Sequence, residues 1–209
     1  MWKDNAKRYL GIFGEMDPIL EELLDSCYEE VKQVAEPKFM MQRCHLQQNP
    51  LMIEEYALSL PYSDLEEMLS GCHECLLVAC TLGPAMDRKI TYYSHVDMAR
   101  MSVFDAVASA YIEEISDAYE AKQNLTNRTM RFCPGYGNVP ISLNRRFADL
   151  LSCHRHIGLY VSENDLLLPM KSMIGIIGIG RTKKKDCYHC VKREYCELRK
   201  RGRRCYSID

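Results

Sequence analysis

Asp17-Pro18 opens the first clear helical pattern of the chain. A capping side chain precedes a proline at the first helical position, and Leu20, Leu23, Leu24, Cys27, Val31 and Val34 recur at helical spacing until Pro37. Short mixed runs from Phe39 to Leu46 and from Met52 to Leu60 read as strands. Ser63-Asp64-Leu65-Glu66 has the form of a capping box and predicts a short helix ending near Gly71. Cys75 to Leu82 is nearly all apolar, as expected of a strand covered on both faces, and Gly83-Pro84 closes it. A long helix is expected from about Asp97 to Ala121. Met101, Phe104, Ala108, Tyr111, Ile115 and Tyr119 form one stripe on it, with small residues between them that allow close approach to a sheet.

Beyond a polar linker at residues 122 to 127, the pattern predicts a helix from about Ser142 to Ser152 and strands at Ile157 to Val161 and Ser172 to Ile179. The order of elements lacks the regular alternation of a doubly wound sheet, which favours an α+β fold, with a mixed sheet packed against the long central helix. The most apolar late stretch, Leu166 to Gly180, is interrupted by Pro169 and Lys171 and falls short of the roughly 20 residues that cross a bilayer. No membrane association is expected.

The chain of 209 residues, 47% hydrophobic and 27% charged, suits one globular domain with a sizeable core. Its net charge of -2 conceals a division. Arg181 to Cys205 carries 11 Lys/Arg against 3 Asp/Glu, which leaves 16 against 26 in the remainder. We therefore divide the chain into a domain over residues 1 to 180 and a basic, cysteine-rich tail over residues 181 to 209. With no apolar leader before Pro18, the expectation is a cytoplasmic protein whose eleven cysteines are reduced.

Several strings, in order, resemble the activation (reactivation) domain of cobalamin-dependent methionine synthase in its compact, stand-alone form. These are RYLGIFGEMDP at 8 to 18, TLGPAMD at 81 to 87, FDAVASAYIEE at 104 to 114, RFCPGYG at 131 to 137, RRFADLL at 145 to 151 and IGLYVSENDLLLPMKSMIGIIGIG at 157 to 180. Arg131, Pro134, Gly135 and Tyr136 match the family's Arg-x-x-Pro-Gly-Tyr signature, and Gly137 stands where the large enzyme has proline. The resemblance implies a module that binds S-adenosylmethionine and remethylates a reduced corrinoid. With no cobalamin domain in the chain, it would act in trans on a methionine synthase lacking its own activation domain, or on another corrinoid protein, with a separate electron donor. A non-catalytic S-adenosylmethionine-binding or corrinoid-protein-binding accessory module is the alternative.

S-adenosylmethionine presents a carboxylate, an ammonium, a sulfonium and an adenine, so its site needs a cation, anions or carbonyls, and backbone donors. The resemblance makes Arg131 the carboxylate ligand, a role that suits its bidentate fork. Gly135 and Gly137 admit close backbone approach, and Tyr136 offers an aromatic face. Glu113 falls near the family's ligand-binding glutamate, with Glu114 its neighbouring competitor. Ile177 or Gly178 falls where the large enzyme has a ligand-contacting tyrosine, and Asp17 is the match for an N-terminal aspartate. Glu163 follows a strand where the family places a glutamate, and a surface turn is the plain reading.

Cysteine and histidine clusters complete the inventory. Cys72, His73, Cys75 and Cys80 include a CxxC but sit in or beside an apolar run, where cysteine packs as a small hydrophobe. Cys153, His154 and His156 read as an ordinary helix end. In the tail, Cys187-x2-Cys190-x5-Cys196-x8-Cys205 gathers soft ligands within 19 residues. That density suits an iron–sulfur cluster or zinc, with a reduced basic tail as the alternative. The acidic remainder argues against nucleic acid as a partner.

Overall fold

The computed structural model describes residues 2–123, 125, 127–180, 187, 193–200 and 202. The N-terminus forms a helix that the hydrophobic pattern does not predict, α1 (Trp2–Tyr9). It is eight residues long and mostly charged or polar, so its stability comes from packing: Ala6 is buried and the Trp2 ring stacks on Tyr28 at 3.9 Å. Helix α2 (Pro18–Val34) starts as expected, with the Asp17 carboxylate accepting the Ile19 N–H at 2.8 Å, and buries Leu24, Cys27 and Val31.

Strand β1 (Lys38–Gln47) is followed by β2 (Met52–Ile53) and β3 (Leu58–Ser59), so the single strand expected over 52 to 60 is broken by a 3-10 turn at Glu54–Tyr56. Helix α3 (Ser63–Leu69) is present, but its capping box does not form. Tyr62 holds the cap position. The Ser63 hydroxyl instead accepts from Asn138 Nδ2 at 2.7 Å, and the Asp64 carboxylate accepts from the Asn138 backbone N–H at 2.9 Å. These side chains tie the helix to a distant loop.

Strand β4 (Glu74–Thr81) matches the apolar run. Gly83-Pro84, read as a stop, is also a start: Pro84 is the first residue of α4 (Pro84–Val96), an element absent from the sequence reading. The long helix α5 (Met98–Ala121) begins at Asp97, whose side chain accepts the Arg100 N–H at 2.9 Å. Then come α6 (Leu143–Leu150), α7 (Cys153–His156), β5 (Tyr160–Val161), β6 (Leu167–Leu168) and β7 (Ser172–Ile179). The strand expected over 157 to 161 survives only as β5, in a small ladder with β6. In the tail, Glu197–Lys200 forms one further helical turn, α8.

The α+β class holds, and the main sheet runs β3-β2-β1-β4-β7. Every pairing described in it is antiparallel rather than mixed. Central β4 separates two cores, which explains the apolar run from Cys75 to Cys80 within it. One core lies under α1, α2, α4 and α5 and includes Leu24, Cys80, Leu82, Phe104 and Val107. The other lies under α3 and α6 and includes Leu65, Leu77, Phe147, Ile174 and Ile176.

The segment preceding the RFCPGYG loop runs antiparallel along the outer side of β7. Phe132 and Ile176 exchange both backbone hydrogen bonds at 2.9 Å, and the Thr129 N–H reaches the Gly178 carbonyl at 2.9 Å. Gly175 makes this approach possible, since a Cβ there would stand 2.7 Å from Arg131 Cγ and 2.9 Å from the Phe132 carbonyl oxygen. No helix among the described residues is long and apolar enough to cross a membrane.

Candidate functional site

The loop at 131 to 137 is held from both sides. Phe132 is fully buried in the α3–α6 core, and its ring meets Tyr136 edge-on at 5.9 Å. The turn closes through Gly135 N–H to the Val139 carbonyl at 2.9 Å and Val139 N–H to the Tyr136 carbonyl at 3.0 Å. Gly137, at φ 52°, passes so near Asp64 that any Cβ would overlap its carboxylate. Asp64 and Ser63 then fasten the far side through Asn138.

Arg131 lies where the loop meets the end of α5. Its guanidinium bonds to Glu120 and, at 3.3 Å, to Asp117, and its side chain is 9% exposed. Glu120, itself 5% exposed, accepts a second cation from Arg128 at 2.5 Å. Removing one partner of such a buried group is strongly destabilising. Here Arg131 fastens the loop to the helix, and its guanidinium does not line the adjacent cleft.

That cleft, of about 300 Å³, opens between α1, α5, the loop and the β6–β7 connection. Glu113 supplies its anion. The carboxylate accepts from the Tyr9 hydroxyl, from Asn5 Nδ2 at 3.3 Å and from Arg8 at 3.4 Å, yet the side chain remains 23% exposed. Glu114 turns the other way, accepting from the Tyr28 hydroxyl at 2.9 Å on α2, and does not line the cleft. Pro134 and Tyr136 line the cleft from the loop side. The Tyr136 phenol is pushed up by the neighbouring Cys133 charge, by burial and by Glu113, so it stays a neutral hydroxyl. Burial and then Glu113 push the Tyr9 phenol up in the same way.

Lys171 supplies the cation. Its ammonium donates to Ser109 Oγ at 2.8 Å and pairs with Asp105 at 2.8 Å, both on α5. Sequence reasoning passed over Lys171, Ser109 and Tyr9. The available signal was the single charge within the apolar run from Leu166 to Gly180, since a lysine there must find a partner.

Other expected residues lie elsewhere. Gly135 and Gly137 shape the loop without lining the cleft. Ile177 is fully buried against Leu76 and Val78, and Gly178 packs on Cys72 and Leu69, so neither reaches it. Glu163 is exposed in the β5–β6 turn, and Asp17 serves as a helix cap. Cys72, Cys75, Cys80 and Cys153 are buried, while His154 and His156 are exposed. Of the four tail cysteines proposed as metal ligands, Cys187 and Cys196 are half-buried, and Cys190 and Cys205 lie outside the described residues. Among the described residues, no three His, Cys, Asp or Glu side chains are grouped to hold a metal ion.

No protein-family model matches the sequence, and no curated protein matches it significantly. A solved structure does: the crystal structure of the MetH reactivation domain bound to AdoHcy superimposes with a TM-score of 0.58. The match covers 94% of this chain and 79% of that one, at 15% sequence identity. At that identity the likeness establishes a shared fold.

Proposed function

We propose that this chain binds S-adenosylmethionine in the cleft beside Glu113 and Tyr136 and directs its methyl group to a reduced corrinoid carried by a separate protein. The observation that most supports the reading is the pairing of this fold with a cleft placed at the RFCPGYG loop, because a neighbour of the same fold holds AdoHcy. Within the cleft, Glu113 receives the ligand ammonium, with the Tyr9 and Tyr136 hydroxyls as neutral polar neighbours. Ile112, Leu167, Met173 and Ile174 form apolar walls. A volume of about 300 Å³ lies at the lower end of the range for small-molecule sites.

A reduced corrinoid is itself a strong nucleophile, so the chain need supply no nucleophilic side chain or general base. Its own contribution is position: the ligand is held with its sulfonium toward the mouth, and water is kept from the reacting centre. Two measurements test the proposal. Titration calorimetry with S-adenosylmethionine and AdoHcy should show saturable one-to-one binding. Single-turnover transfer from labelled S-adenosylmethionine to a reduced corrinoid protein should depend on the chain. Absence of binding rejects the reading, and binding without transfer favours the accessory-module alternative.

A further inference from the structure

Among the described residues lining the cleft, Lys171 is the single lysine or arginine. Its backbone is fixed before any ligand arrives. Its carbonyl accepts the Leu82 N–H at 2.9 Å, and the N–H of neighbouring Met170 is held by the Asp87 carboxylate at 2.9 and 3.2 Å. On the following residue, the Ser172 hydroxyl bonds to Thr81 Oγ1 at 2.8 Å. The side chain is aimed as well, because Ser109 Oγ accepts from it while donating to the Asp105 carbonyl at 3.0 Å.

Ser109 and Glu113 are four residues apart on α5, one helical turn along the same face, so the lysine that bonds to Ser109 and the glutamate line the same cleft from neighbouring turns. A zwitterionic α-amino acid group carries an ammonium and a carboxylate as two substituents of one carbon and can bridge such a pair. From this placement we infer that Lys171, oriented by Ser109, binds the carboxylate of a ligand's amino-acid end whose ammonium goes to Glu113. The inference rests on reading the cleft as a site for S-adenosylmethionine or its demethylated product.

Two observations strengthen the assignment. Arg131, the other cation associated with the loop, is committed to Glu120 and Asp117. The lysine ammonium has three N–H donors, of which Ser109 and Asp105 occupy two, so a carboxylate can be taken by the third. Asp105 is 43% exposed and can turn to water when a stronger partner enters.

The test compares two ligands that differ in the amino-acid end: AdoHcy and 5′-methylthioadenosine, which has the nucleoside and thioether alone. Calorimetry on the full chain measures the preference for the first over the second. Lys171→Gln should weaken AdoHcy roughly 10- to 100-fold, the range of a charge-assisted hydrogen bond, and leave 5′-methylthioadenosine unchanged. Lys171→Arg should retain most of the preference. A Lys171→Gln protein that keeps the wild-type preference overturns the assignment, and a preference lost in Arg131→Lys instead returns the role to Arg131.

If Lys171→Gln does not fold, as judged by its thermal transition, Ser109→Ala carries the test. It should cut the preference several-fold, and no change would again overturn the assignment. Wild-type protein that binds neither ligand rejects the reading of the cleft itself, an outcome distinct from binding that ignores Lys171.

Discussion

Glu113 and Glu120 stand seven residues apart on α5, two turns along the same face, yet their surroundings have little in common. Glu120 is 5% exposed and is taken up by Arg131 and Arg128. Glu113 is 23% exposed and opens onto a cleft, with a tyrosine, an asparagine and an arginine of α1 around it. The same side chain on the same helix is a rivet at one level and a contact surface two turns earlier. Burial and the number of cations near each carboxylate make the difference, and neither is written in the helical repeat.

The comparison can be broken most forcefully at the buried end. Glu120→Ala removes the buried carboxylate that Arg131 and Arg128 share and leaves Arg131 only the exposed Asp117, and unfolding free energy should fall by about 3 to 5 kcal/mol. Chemical denaturation reads this directly. A loss below about 1 kcal/mol would show that the Glu120 cluster is no rivet.

A third carboxylate extends the series by pH. Burial raises the pKa of Glu30, but hydrogen bonds from Lys89, Tyr93 and Arg100 outweigh it and hold the group at about 2, against 4.5 ordinarily. Its folded value is the lower one, so its contribution is complete above about pH 4.5 and is lost as pH falls toward 2. That contribution is on the order of 3 kcal/mol. Glu30→Gln should therefore flatten the acid limb of the stability curve between those values, and an unchanged acid limb would contradict the assignment.

At the exposed end, Glu113→Gln should weaken S-adenosylmethionine binding by about 1.5 kcal/mol. Unfolding free energy should move by no more than about 1 kcal/mol, since a partly exposed ion pair contributes little. A variant that instead lost stability and kept affinity would make Glu113 a second rivet. The smallest effect is expected at Gly137→Ala, where a left-handed residue and the Asp64 carboxylate compete for the same space. A loss of about 1 kcal/mol in stability is expected there.

The elements with long, unbroken patterns were legible from residues alone. α2 and α5 each follow an aspartate cap, and β4 is apolar from Cys75 to Cys80 because both its faces are covered. α1 was not legible because eight mostly charged and polar residues become a helix only against Tyr28 and α5. α4 was missed because a Gly-Pro pair can end a strand and begin a helix in the same two residues. Ser63 and Glu66 have the spacing of a capping box, but the distant Asn138 engages Ser63 and Asp64 instead.

The candidate site divides along the same line. Pro134, Tyr136 and Glu113 line one cleft. Arg131 pairs with Glu120 whereas Lys171 bonds to Ser109 and lines the cleft, because which cation faces the cleft depends on where Glu120 and Ser109 fall in space.

The pairing of residues 128 to 132 with β7 bears on self-association as well as on the loop. Met173 to Ile179 consists solely of apolar residues and glycine, and a bare strand of that kind is a ready template for another chain's backbone. The segment that leads into the loop occupies that template through Thr129 and Phe132. A substitution that loosens Arg131 from Glu120 would therefore uncover a sticky strand, and its first symptom in solution should be aggregation during expression or concentration rather than a change in ligand affinity.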